Sequence, residues 1–221
     1  MERIIRVTGK GRISVAPDTI KLYITAEGVS KEYDKAVSKS AEETNLVRDA
    51  ISRAGLDPKE LKTSWFNVDS EYERYRDKND DLKRRFVGYK YTHRMNLMFP
   101  NDNAILGKVL YELANCPVKV EFSIEHTVKD TESIKNELIG KAVSDSKVKA
   151  ENLTKAAGVK LGDIISIDYS WGRMEIYSNY IDKMAITSAK CLADSSTGYD
   201  IDIEAEDIDV EDTVTVVWEI K

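Results

Sequence analysis

The run from Glu132 to Gly158 constrains this chain more than any other stretch. Ile134, Leu138, Ala142, Ser146, Ala150, Leu153 and Ala157 recur at steps of four, four, four, four, three and four, which keeps them along one side of an α-helix. Most of these side chains are small, so the helix is expected to lie close against a sheet. Asp130 or Thr131 can accept the first free amide hydrogens, and Gly158 can take the left-handed conformation that ends the helix. A helix of about 28 residues is roughly 40 Å long, and that length sets the size of the layer beneath it.

The sheet is legible in two-residue alternation. Arg3 to Val7 and Arg12 to Val15 are β-prone, with Gly9 and Gly11 expected to allow a turn or bulge between them before Pro17-Asp18 interrupts. Ile20, Leu22, Ile24 and Ala26 then alternate with Lys21, Tyr23, Thr25 and Glu27, the pattern of a strand with one buried face. Ser30 is the expected N-cap of a helix carrying Tyr33, Val37, Ser40, Thr44, Val47, Ile51 and Ala54, stopped by Gly55. Ser64, Phe66, Val68, Ser70 and Tyr72 face opposite to Trp65, Asn67 and Asp69 in the next strand, so the opening unit reads β-β-α-β.

From Glu73 to Arg85 the chain carries charge of both signs and almost nothing to bury, which predicts a solvated hairpin tip or loop. Val87, Tyr89, Tyr91, His93, Met95, Leu97 and Phe99 resume the alternation, giving two long strands joined by the charged segment. A shorter helix capped by Asp102 or Asn103, a strand bearing Val118 to Val128, the long helix and a strand from Ile164 to Tyr169 follow. Trp171 to Asp200 is irregular, helical near Ile181 to Ala189 or a long loop. A terminal strand, strong from Thr213 onward, is expected to lie inside a sheet and tie the C-terminus back. Arg53-Ala-Gly-Leu and Ala156-Ala-Gly-Val close two long helices alike, through duplication or through the helix-stop chemistry of glycine.

At 221 residues, 42% apolar and 33% charged, the chain can bury one large core or two smaller ones. Its formal charge of −6 argues against a nucleic-acid surface. The start carries no apolar signal segment and no run of 18 apolar residues follows, so the expectation is a cytoplasmic protein without membrane insertion, or a periplasmic one if a leader has been removed. Cys116 and Cys191 could form one disulfide, and are expected first as buried, reduced thiols.

No catalytic, metal or cofactor site is assigned. His93 and His126 sit on apolar strand faces without ligand spacing, and read as core histidines. The acidic run from Asp200 to Asp212 lacks the calcium-loop pattern and reads as a strand edge facing water. What remains is an interaction surface at the charged hairpin: Tyr72, Arg74, Tyr75, Arg76, Arg84, Arg85 and Phe86, with Asp77, Asp80 and Asp81 cancelling much of the basic field.

Val7-Thr-Gly-Lys-Gly with Pro17-Asp18, Ala54-Gly-Leu leading to Leu61-Lys-Thr, Phe86-Val-Gly-Tyr-Lys, Ala142 to Gly158 followed by Leu161-Gly, and the Ile208 to Ile220 strand together resemble the SIMPL domain family, once labelled domain of unknown function 541. The resemblance covers nearly the whole chain. It implies an α+β fold of two-layer antiparallel sheets covered by helices, in two subdomains with the C-terminal strand returning to the first. In this chain the subdomains are expected at 1–85 plus 200–221, and at 86–199 as a ferredoxin-like β-α-β-α-β variant with an irregular 171–199 segment. It also implies a non-enzymatic structural or protein-interaction domain: some bacterial relatives form rings or barrels, others are linked to oxidative or envelope stress, and a mammalian relative binds a kinase. The family has no established catalytic residues to carry over. Self-association, giving a homo-oligomer, is the first expectation; the alternative is a small-molecule binding protein or uncharacterised enzyme using a cleft between subdomains. Where relatives place proline and glycine before the last strand, this chain has Ile203-Glu-Ala-Glu-Asp.

Overall fold

The computed structural model describes residues 3–169, 176, 199 and 203–221. Its elements run β1 (Ile4–Val15), β2 (Thr19–Ser30), α1 (Tyr33–Arg53), a 3-10 turn (Pro58–Glu60), β3 (Lys62–Arg76), β4 (Leu82–Pro100), α2 (Asn103–Ala114), β5 (Val120–Thr127), α3 (Thr131–Ala156), β6 (Leu161–Asp168) and β7 (Ile208–Ile220). The fold is α+β, with one sheet ordered β1-β7-β6 and another ordered β3-β4-β2-β5. The expected irregular stretch from Trp171 to Asp200, with its helix near Ile181 and with Cys191, lies outside the described residues except for Ile176 and Tyr199.

One compact unit holds β1, α3, β6 and β7. The C-terminal strand lies inside its sheet as expected, pairing with β1 from Ile4↔Glu219 to Val15↔Ile208 and with β6 on its other side. It spans Ile208–Ile220, with Ile208 and Val210 alternating into the core. Asp130 caps α3 by accepting from the Ser133 amide at 2.9 Å. The buried row is Ile134, Leu138, Ala142, Ser146, Ala150 and Thr154. The row thus keeps its step of four, taking Thr154 where Leu153 and Ala157 were expected, and leaves those two exposed. Rows at four-residue steps run obliquely to the helix axis, which suits a sheet that twists beneath them. The Thr154 hydroxyl is satisfied by donating to the Ala150 carbonyl at 2.8 Å.

Gly9 and Gly11 do not bend the chain, as β1 is continuous through both. They bring backbone against backbone instead. A Cβ at Gly9 would fall 1.9 Å from the Ala142 carbonyl oxygen, and one at Gly11 would fall 2.2 Å from that of Leu138. The small row on α3 and the two glycines on β1 are therefore complementary halves of one close approach.

The second unit holds β2, α1, β3, β4, α2 and β5. Ile20, Leu22, Ile24 and Ala26 of β2 and Met95, Leu97 and Phe99 of β4 face Val47, Ala50 and Ile51 of α1 and Leu106, Val109 and Leu113 of α2. The Asp102 carboxylate caps α2, accepting from Ala104 at 2.7 Å and Ile105 at 3.2 Å. The cap expected at Ser30 is displaced: Ser30 still pairs with Tyr89 within β2, and Glu32 occupies the N-cap of α1 without a side-chain bond. Both long helices end alike, with Gly55 at φ +90° and Gly158 at φ +69°. In each the next amide reaches back five residues, Leu56 to Ile51 at 3.2 Å and Val159 to Thr154 at 3.0 Å, which is the glycine stop that the shared Ala-Gly-apolar sequence encodes.

The subdomain boundary expected at 85/86 falls inside β4, and would part β2 and β3 from the strand with which both pair. Alternation identifies strands but not their partners.

Two glycine-to-alanine changes should have opposite signs. Gly9→Ala should destabilise the chain by about 3 kcal/mol or more, since the added methyl meets helix backbone. Gly140→Ala, on α3 with open space around its Cβ position, should stabilise by about 0.5–1 kcal/mol through helix propensity. Urea unfolding midpoints of the two variants check both signs.

Candidate interaction surface

β2 accompanies β4 only as far as Ser30↔Tyr89, whereas β3 and β4 pair on to Arg76↔Leu82. Residues 71–87 therefore form a two-stranded arm with no third strand among the described residues. The stretch Glu73 to Arg85, expected as a tip or loop, is mostly paired strand; the turn is confined to 77–81. Glu73 and Asp77 meet Arg85 and Lys83 across the ribbon, so pairing holds there without a core to bury. The Asp77 carboxylate organises the turn by accepting from the amides of Asn79 at 2.9 Å and Asp81 at 3.1 Å. An ion pair with Lys83, reinforced by the Asn79 amide, holds its carboxyl below the usual range. Asp80 takes φ +65°, a conformation aspartate tolerates better than most residues.

Register assigns the arm's side chains to two faces. One carries the opposed pairs Tyr72↔Phe86, Arg74↔Arg84 and Arg76↔Leu82; the other carries Glu73↔Arg85 and Tyr75↔Lys83. The second face balances its charge, with Arg85 on Glu73 at 2.6 Å and Lys83 on Asp77. The first does not. Arg76 meets Asp80 at 2.7 Å, but Arg74 and Arg84 have no carboxylate partner among the described residues, and the Arg84 guanidinium sits over the Tyr72 ring at 5.0 Å. At the arm's base a chain of edge-to-face contacts runs from Tyr72 to Phe86 at 5.6 Å, Phe86 to Tyr89 at 5.3 Å and Tyr89 to Tyr33 at 5.6 Å. Leu82 is 65% exposed, Tyr72 46% and Phe86 45%.

All seven residues singled out from sequence lie on the arm, five on the unbalanced face and Tyr75 and Arg85 on the balanced one. Leu82, Lys83 and Glu73 were missed as members of the two faces.

The sheet of this unit has a second feature on the face away from its helices. Tyr23, Thr25, Glu27, Ser64, Trp65, Arg94, Glu121 and Ser123 line a groove of about 560 Å³. Arg94 lies over the Trp65 ring at 4.9 Å, and Glu27 is engaged by Lys90 at 2.6 Å and the Thr92 hydroxyl at 3.1 Å. The Lys90 contact holds the Glu27 carboxyl below its ordinary range. The described part of the acidic run splits. Glu211 is paired with Lys10 and Arg12, and Asp212 accepts from the Tyr169 hydroxyl at 2.7 Å. Glu204, Glu206, Asp207 and Asp209 are exposed and make no ion pair among the described residues. Among those residues no cluster of three or more His, Cys, Asp or Glu side chains is placed to hold a metal, and no helix is long and apolar enough to cross a membrane.

A family model described as SIMPL, protein of unknown function (DUF541), matches residues 5–218. The 26 kDa periplasmic immunogenic protein of Brucella melitensis biotype 1 is 28% identical over 163 residues, which cover 74% of this chain and 65% of that protein. The protein of the same name from Brucella abortus strain S19 is 27% identical over 163 residues, with the same coverage. The chain thus spans about 65% of the length of these curated relatives.

Both histidines are buried, with His93 held between α1 and β3. The Thr44 hydroxyl donates to the Ser40 carbonyl at 2.7 Å, so the 2.9 Å contact to His93 Nδ1 requires the ring to donate there. Nε2 then accepts from the Thr63 hydroxyl at 2.8 Å. Burial, with a smaller contribution from Arg48, lowers the His93 pKa below the ordinary 6.5, and burial lowers that of His126. The unfolded chain accordingly binds more protons as pH falls through that range. Stability should be complete above the ordinary imidazole pKa and decline below it. Urea midpoints at about pH 7.5 and about pH 5 should show that loss, and His93→Gln should reduce it.

Proposed function

The chain belongs to the SIMPL family, and from that premise we propose that it is a structural or protein-interaction domain that associates with copies of itself. The supporting observation is the arm at 71–87, whose exposed aromatic, leucine and arginine side chains lie on a ribbon with no helix packed over it among the described residues. Aromatic and arginine side chains are the residues enriched where proteins meet. A second feature is the β6 edge, where Ile164, Ile165 and Ile167 are about half exposed and α3 packs chiefly on β1 and β7. The Brucella relatives are named as periplasmic proteins, which supports a place for this chain in the same exported compartment. A part in envelope stress rests on the family resemblance alone.

The Trp65–Arg94 groove favours a second reading, in which the open sheet binds a small polar ligand by stacking on the indole and bonding to Arg94 and the neighbouring hydroxyls.

Light scattering from about 1 to 100 µM should give a mass above the 25.0 kDa monomer that rises with concentration. A strict monomer throughout would remove self-association. For the second reading, small oligosaccharides and dipeptides should quench tryptophan emission, and Trp65→Phe should abolish the quenching.

A further inference from the structure

We infer that the arginine face of the arm is the receptor for the acidic 204–209 segment of a second copy of this chain. This rests on the self-association reading and names the two surfaces that would meet.

Arg74 and Arg84 are direct register partners, so two guanidinium groups share one side of a two-stranded ribbon. Like charges opposite one another weaken a strand pair unless an anion lies between them. The neighbouring positions show the ordinary solution: Arg85 has Glu73, Lys83 has Asp77 and Arg76 has Asp80. Arg74 and Arg84 alone among the arm's arginines have no carboxylate among the described residues. Their surroundings are Tyr72, Phe86 and Leu82, so the face combines surplus positive charge with exposed apolar surface.

The complementary surface is on the same chain. Glu204, Glu206, Asp207 and Asp209 are exposed carboxylates without an ion pair among the described residues, in contrast to Glu211. Residues 203–207 precede β7 without regular secondary structure. In extended chain Glu204 and Glu206 would be about 7 Å apart on one side, within reach of two neighbouring guanidinium forks. Ala205, lying between them, is only partly buried. Among the described residues neither the surplus cations nor the surplus carboxylates have an ion-pair partner, and a second copy supplies each with the other. In a chain of net charge −6, this local positive face also orients the encounter.

The experiment uses the full chain and three variants: Arg74→Glu with Arg84→Glu, Glu204→Lys with Glu206→Lys, and all four changes together. Circular dichroism confirms that each remains folded, since all the altered side chains are exposed. Sedimentation velocity at about 50 mM salt should show each double variant dissociating on the order of tenfold more readily than the unaltered chain. The fourfold variant, with both charges reversed, should recover assembly, and about 0.5 M salt should weaken the unaltered chain. Assembly that persists in both double variants, or that the fourfold variant fails to recover, would overturn the pairing while leaving self-association standing. A monomeric unaltered chain would overturn both.

Discussion

The contact on which the first unit depends is backbone against backbone. Gly9 and Gly11 leave a shallow track on β1, and the Leu138–Ala142–Ser146 row of α3 settles into it. Side chains on either surface would hold the helix farther off, as helix layers usually sit. The close approach lets a modest three-stranded sheet exclude water with few large residues, Val7, Val214, Val216 and Trp218 chief among them. It also explains the low apolar content of the longest helix, which is drawn in by fit more than by bulk. The partner of β1 is β7, the last element of the chain, so this unit joins both ends of the sequence. Its contacts are of very long range, and such closure is slow to form.

The arm obeys a different rule. An isolated two-stranded ribbon is marginal in water, and this one has no helix over it among the described residues. Two devices hold it. Near its base the rings of Tyr72, Phe86, Tyr89 and Tyr33 join β3 and β4 to the start of α1, each edge-to-face pair adding about 0.5–1.5 kcal/mol. Toward its tip, ion pairs and the Asp77-centred turn fix the register. Exposed pairs of this kind contribute little individually, so their value lies in setting which side chains share a face. That assignment turns a segment of mixed charge into one balanced face and one basic, aromatic face.

The parts of the fold that follow from periodicity were legible in the chain. The β2 and β4 alternations, the α2 cap at Asp102, and the length and glycine stop of α3 are local properties that side-chain spacing records directly. The misses share one cause, which is dependence on a partner outside the local run. Gly9 and Gly11 look like a bend until a helix more than a hundred residues later is laid upon them. Glu73 to Arg85 look like a loop because neither strand has anything to bury, and only the cross-strand register shows that each completes the other. The seven candidate residues were legible as a cluster, but their division between two faces was not.

That division bears on how the arm can meet another protein. A free strand edge invites a further strand through backbone hydrogen bonds, and proteins guard such edges with charge. Here both strands are dense in charge from Glu71 to Arg85, so adding a strand edge to edge would bring charged side chains close along the new seam. The side-chain face offers the better contact, because Tyr72, Phe86 and Leu82 supply apolar area while Arg74 and Arg84 supply direction. A surface of that composition discriminates by charge pattern more than by area. On the self-association reading proposed above, the partner that suits this face is extended and acidic, the composition of the chain just before its own last strand.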